Sequence, residues 1–299
     1  MMKYPIILNP IAKTRIWGGE RLSALGAEPP IGEHWTLSLR TGDNNIVANG
    51  EFAGAGLDSV LSEHPEFLGI ACSKDKFPLL IKFIDSKESL SIQVHPDDDA
   101  ARILGEECGK TEMWYIIDAE PDSYIYFGIK DEYSEDEVKR AILSGVDPTL
   151  YLNKVPVKAG ECYFIAGGTP HAIGGGIYIC EIQQNCDTTY RIYDYGRPRE
   201  LHLEQAVVSL KKLPPRNFAN DNVLAECEYF RSELIKVDGE MTVDADHDKF
   251  ISLTVVSGKG SISVGEAEYA FEERDSIFIP AGEEKYLLRG NAEIIKTTV

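Results

Sequence analysis

The sequence predicts a mainly β protein built as two jelly-roll β-barrel domains with a few decorating helices. Three observations predict it: short apolar runs divided by Gly, Pro, Asn and Asp, helical patterns that are few and brief, and an internal echo between two β segments. At 299 residues the chain is long enough for two ordinary domains, each with its own core.

FPLLIKFI, LSIQVH, MWYII, SYIYFGI, CYFIAGG and IYICEIQQ read as strands. Helical patterns cover 57–68, 97–104, 134–143 and 201–210, the third opened by the capping box Ser134-x-x-Glu137. LKKLPPRNFANDN then interrupts the pattern before a second β-rich stretch. The division expected is residues 1–215 for a metal-binding catalytic domain and 216–299 for a smaller jelly roll without metal ligands. The echo joins VKAGECYFIAGGTPHAI at 157–173 to FEERDSIFIPAGEEKYLL at 271–288. His171 follows Pro170 in the first copy, whereas Ala281 and Gly282 follow Pro280 in the second, so metal chemistry is expected only in the first.

The 30 basic residues face 49 acidic ones, a net charge of −19 that repels polyanions and anionic lipid. Nucleic acid and membrane are thereby excluded as expected partners, and an anionic small substrate needs a local cluster of cations. The six cysteines form no CxxC pair, which argues against a thiolate zinc site or a disulfide framework. MMKYPIILNPIAK is broken by Pro10 and lacks a small-residue cleavage site, so it does not read as a signal peptide. No apolar run approaches the roughly 18 residues of a membrane span, and the cytoplasm is the expected location.

The sharpest local feature is SIQVHPDD. On a strand Gln93 and His95 share one face while Ile92 and Val94 share the other. Glu112 in GKTEMWYII and His171 in GGTPHAI can complete a mixed nitrogen and oxygen set of the kind a catalytic zinc site uses. By the same alternation Thr189, Arg191 and Tyr193 fall on one face, opposite Tyr190 and Ile192. Lys82, Lys110, Arg191 and Arg197 are the cations nearest these polar strands. Trp17 and Trp35 read as packing residues, and Cys108 as an ordinary thiol.

PLLIKFIDSKESLSIQVHPDD, GKTEMWYII, GGTPHAIGGG and EIQQNCDTTYRIYDYGR, in that order, closely resemble the short bacterial and archaeal form of type I mannose-6-phosphate isomerase. The resemblance spans roughly residues 5–205 and, more weakly, the C-terminal β region. It implies a cupin-type jelly-roll enzyme, an intramolecular oxidoreductase that interconverts mannose 6-phosphate and fructose 6-phosphate with one zinc ion per chain. Carried over by motif, Gln93, His95, Glu112 and His171 hold the metal. Arg191, Lys110 and Glu181 serve catalysis, and Lys82, Ser91 and Arg197 contact the phosphate. The chain lacks the large helical insertion of longer members, and its RIYDYGR run leaves Arg199 a rival to Arg197.

An aldose-ketose isomerase opens the sugar ring and moves a proton between adjacent carbons through an enediolate. Glu181, Lys110 and a water on the metal are all candidates for the base. A sugar phosphate is the expected partner, and the protein is expected to be a monomer or a homodimer. A non-catalytic, metal-containing sugar-binding cupin is the alternative, and pairing Lys110 with Arg191 beside the ligands argues against it. An iron-dependent cupin oxygenase would want more histidines than the two in this motif set.

Overall fold

The computed structural model describes residues 3–216 and 222–299, and residues 217–221, next to the expected division at 215/216, lie outside the described residues. The chain is mainly β and separates into two compact units.

The first unit holds residues 1–11, 34–83 and 218–299. Its sheet takes long strands from the C-terminal region, Arg231–Asp244, Ile251–Val264 and Lys285–Thr298; the first and third pair in unbroken antiparallel register from Arg231↔Thr298 to Asp244↔Lys285, and the second pairs with the third across a register shift between Val255 and Ser257. The N-terminal strand Ile6–Asn9 joins that sheet through Ile6↔Phe278, a pairing between chain ends that no local pattern announces. The 57–68 helical pattern is divided here into an α-helix Leu57–Glu63 and a 3-10 turn Pro65–Phe67, because Pro65 has no N–H to continue the ladder.

The second unit holds residues 12–33 and 84–217. Eight of its strands matter below: β1 (Ile92–Val94), β2 (Glu112–Ala119), β3 (Tyr124–Ile129), β4 (Leu152–Pro156), β5 (Cys162–Ile165), β6 (His171–Ile173), β7 (Ile177–Gln184) and β8 (Tyr190–Tyr193). One sheet runs β4-β3-β6-β1-β8. The other contains the run β5-β2-β7. Ile116, Ile125, Ile165, Ile173, Ile177 and Ile179 come from strands of both sheets and pack as one apolar cluster.

Helices α1 (Asp98–Leu104), α2 (Glu135–Leu143) and α3 (Leu203–Ser209) complete this unit. Asp97 caps α1 by accepting the Ala100 N–H at 3.0 Å. The Ser134 capping box forms as read: the Ser134 N–H donates to Glu137 Oε2 at 2.7 Å and the Glu137 N–H to Ser134 Oγ at 3.3 Å. Val138 and Ile142 of α2 and Ala206 of α3 pack with Ile92, Val94, Tyr190 and Ile192. This cluster covers one face of β1 and β8, so Gln93, His95 and Arg191 are left to the opposite face. No helix among the described residues is long and apolar enough to cross a membrane.

The echo is a matter of backbone as well as sequence. Gly160 (φ +87°) and Arg274 (φ +79°) occupy corresponding turn positions. In one turn the Lys158 N–H donates to Glu161 Oε2 at 2.9 Å, and in the other the Glu272 N–H donates to Asp275 Oδ2 at 2.8 Å.

Candidate metal centre

Strand register assembles the site. Gln93 on β1 stands opposite His171 on β6 and opposite Arg191 on β8, so these three side chains form a row across neighbouring strands. On the other sheet Glu112 of β2 faces Gln183 of β7, and Trp114 faces Glu181. Glu112, Trp114 and Glu181 therefore share one face.

One ligand atom from each of His95, Glu112 and His171 lies within 4.8 Å of the others, and all three residues are buried. Glu112 Oε1 is 3.4 Å from His171 Nε2, and its Oε2 is 3.6 Å from His95 Nε2. Each imidazole is oriented from behind: His95 Nδ1–H donates to the Thr188 carbonyl and His171 Nδ1–H to the Thr169 carbonyl, both at 2.8 Å. Those bonds fix the tautomer and aim both Nε2 lone pairs inward. Burial pushes the His171 imidazole down to about 4, so it is neutral and able to donate its lone pair at neutral pH.

Gln93 closes the cluster. Its Nε2 is 3.5 Å from His95 Nε2 and 3.4 Å from His171 Nε2, while Ser91 Oγ donates to its Oε1 at 3.2 Å. A half-turn of the amide presents Oε1 to the same point instead. Two imidazole nitrogens and one carboxylate, all buried, with the amide oxygen of half-buried Gln93, are a donor set that fits a divalent first-row ion with room for a further oxygen ligand.

Lys110 lies just before β2. Its Nζ is 3.0 Å from Glu112 Oε2 and 3.1 Å from His95 Nε2. Burial alone would pull this ammonium down, but Glu112 and Glu181 together hold it above the ordinary lysine value. Gly109 makes the approach possible: a Cβ there would sit 2.6 Å from backbone atoms of Asp97 and Asp98.

Glu181 is buried, and its Oε2 accepts the Trp114 indole N–H at 3.0 Å. Arg191 has its Nε buried without a hydrogen-bond partner, and among the described residues its guanidinium enters no ion pair. Burial, and then the neighbouring Arg199, hold it below the ordinary arginine value. Tyr193 departs from the alternation read from sequence. A register shift between Arg191 and Tyr193 sets Tyr193 opposite Ile92, and it packs with the Tyr190 and Ile192 cluster.

Arg197 and Arg199 both converge on buried Asp194, but differently. Arg199 is held by both carboxylate oxygens, at 2.6 and 2.7 Å. Arg197 reaches Asp194 Oδ1 at 2.9 Å and the Ser89 carbonyl at 2.7 Å through Nη2, which leaves its Nη1 without a hydrogen bond. Lys82 belongs to the other unit, where its ammonium lies 5.3 Å from the centre of the Trp35 ring. The sequence reading missed Thr188, Thr169, Trp114 and Asp194. The first two act through backbone carbonyls, which leave no mark in sequence, whereas Trp114 could have been found as the residue two after Glu112 on the same strand.

The chain matches the family model described as phosphomannose isomerase type I, catalytic domain, over residues 7–129, and that described as mannose-6-phosphate isomerase, cupin domain, over residues 220–299. It is 35% identical to mannose-6-phosphate isomerase ManA of Bacillus subtilis over 315 residues, covering 99% of both chains. It is also 35% identical to the mannose-6-phosphate isomerase of Streptococcus mutans over 313 residues, covering 98% of both. The crystal structure of the Bacillus subtilis mannose 6-phosphate isomerase superposes with a TM-score of 0.87 at 33% identity, covering 99% of each chain. A variant of phosphomannose isomerase from Salmonella typhimurium shares the fold, with a TM-score of 0.81 at 14% identity over 98% of this chain and 99% of that one.

Proposed function

The chain belongs to the type I phosphomannose isomerases, and from that premise we propose a zinc-dependent interconversion of mannose 6-phosphate and fructose 6-phosphate through an enediolate. The observation that carries the proposal is the buried convergence of His95, Glu112 and His171 with Gln93, with Lys110 against two of them. We assign Gln93, His95, Glu112 and His171 as the ligands. Zinc held there supplies Lewis-acid polarisation of the sugar oxygens.

The rest of the chemistry is the chain's own. Buried Lys110 and half-buried Arg191 bring positive charge to the oxyanion that develops at O1 or O2. Arg191 suits the task because, among the described residues, no carboxylate pairs directly with its guanidinium, and its Nε is buried without a hydrogen bond. Glu181 takes the proton from one carbon and returns it to the next: it is buried, and its Oε2 is held by the Trp114 indole N–H. The phosphate is assigned to Ser91 and Arg197 of the unit that holds the metal cluster. Arg197 is preferred to Arg199 because its buried Nη1 makes no hydrogen bond and has only Glu88 at 4.0 Å, whereas Arg199 is clamped to Asp194 through both Nε and Nη2. Catalysis is assigned to residues 1–215, and residues 216–299 are assigned no metal ligand.

Isomerisation in D2O tests the proton-transfer route. Deuterium at C2 of recovered mannose 6-phosphate, or at C1 of the fructose 6-phosphate formed, is the expected result. Protium retained throughout many turnovers would instead indicate hydride transfer without an enediolate.

A further inference from the structure

Trp114 stands at a junction. Its ring edge lies against His171, with centroids 5.3 Å apart and planes at 79°, and its indole N–H donates to Glu181 Oε2 at 3.0 Å. Trp114 and Glu181 are also directly paired across β2 and β7, so the backbone ladder sets the distance between them as firmly as their side chains do. The indole is buried at 1% exposure and Glu181 at 3%. A buried carboxylate needs donors to hold its charge, and the indole has one donor and no acceptor, so it can favour only the ionised acid.

We infer that Trp114 is a positioning residue for the isomerisation: its indole N–H fixes the rotamer of Glu181 and turns the carboxylate toward the reacting carbons. The inference rests on Glu181 acting as the base. A phenylalanine at 114 would keep the ring against His171 but remove the donor to Glu181 Oε2, so the loss falls on the chemical step. Proton transfer depends steeply on where the base sits, and substrate binding does not. A residue that merely fills the core would lower stability and leave the kinetic coupling untouched.

The test is a double-mutant cycle of Trp114→Phe and Glu181→Gln, with kcat, KM and bound metal measured for each folded variant. Trp114→Phe alone is expected to lower kcat by about 10- to 100-fold, the range for losing an orienting partner. KM and bound metal are expected to stay within about 2-fold. In the Glu181→Gln background the same change is expected to cost less than about 2-fold, because the group it positions is already disabled. Equal losses in both backgrounds, or an unchanged kcat in Trp114→Phe, would overturn the inference. An unchanged kcat in Glu181→Gln alone would remove Glu181 as the base, and the inference with it.

Should Trp114→Phe fail to fold, the indole 1H–15N resonance of Trp114 decides. It is expected to move upfield in Glu181→Gln, where the acceptor loses its charge. A resonance that stays in place means that the indole does not serve Glu181.

Discussion

At the scale of single residues, the centre is held as much by what lies behind the ligands as by the ligands. The Thr188 and Thr169 carbonyls orient His95 and His171, and Gly109 lets Lys110 pass close to the start of α1. Gly109→Ala should shift Lys110 away from Glu112 and His95. It is expected to cost about 1–3 kcal/mol of stability, as overpacking does, and to lower turnover as well, measured by denaturant titration and steady-state assay. Arg191→Ala is expected to lower kcat by about 10²- to 10³-fold, as loss of an oxyanion partner does, with bound metal unchanged. An unaltered kcat would remove Arg191 from the reaction. The convergence of His95, Glu112 and His171 with Gln93 was legible because strand alternation and ordered motifs are written in side chains. The packing of Tyr193 with Tyr190 and Ile192 was not, because a bulge follows from pairing with a distant strand.

At the scale of elements, alternation does most of the positioning. Ile92, Val94, Tyr190 and Ile192 bury themselves with α2 and α3, and that burial presents Gln93, His95 and Arg191 to the other face. The helix over 201–210 starts at Leu203 because His202 is engaged with β8: its N–H donates to the Arg191 carbonyl at 2.8 Å, and its Nδ1 accepts the Arg191 N–H at 3.2 Å. Neither bond could be read from local sequence. The paired turns give a cleaner lesson, since Arg274 adopts the left-handed backbone that Gly160 adopts in the other copy. A side chain in that region is strained, whereas glycine is not, though glycine costs more entropy in the unfolded chain. Arg274→Gly is therefore expected to raise stability by about 0.5–1 kcal/mol, read as a higher urea midpoint at unchanged slope. A lower midpoint would show that the Arg274 side chain contributes more than its backbone costs.

At the scale of the molecule, a net charge of −19 leaves a phosphate dianion dependent on the few cations near the motif strands. Composition excluded nucleic acid and anionic membranes as expected partners, but it could not choose among small anions. The ordered motifs made that choice, and full-length identity of 35% to mannose-6-phosphate isomerases agrees with it. Less visible was that residues 1–11 and 34–83 form a compact unit with 218–299, since pairings such as Ile6↔Phe278 join positions at opposite ends of the chain. The central claim is that the buried His95, Glu112 and His171 cluster, with Gln93, holds the zinc on which isomerisation depends. It is tested most directly by following fructose 6-phosphate formation from mannose 6-phosphate in purified protein, after chelation and again after zinc is restored, with bound metal measured at each stage. Activity that disappears on chelation and returns with one zinc per chain is the predicted result; full activity in metal-free, folded protein would contradict the account.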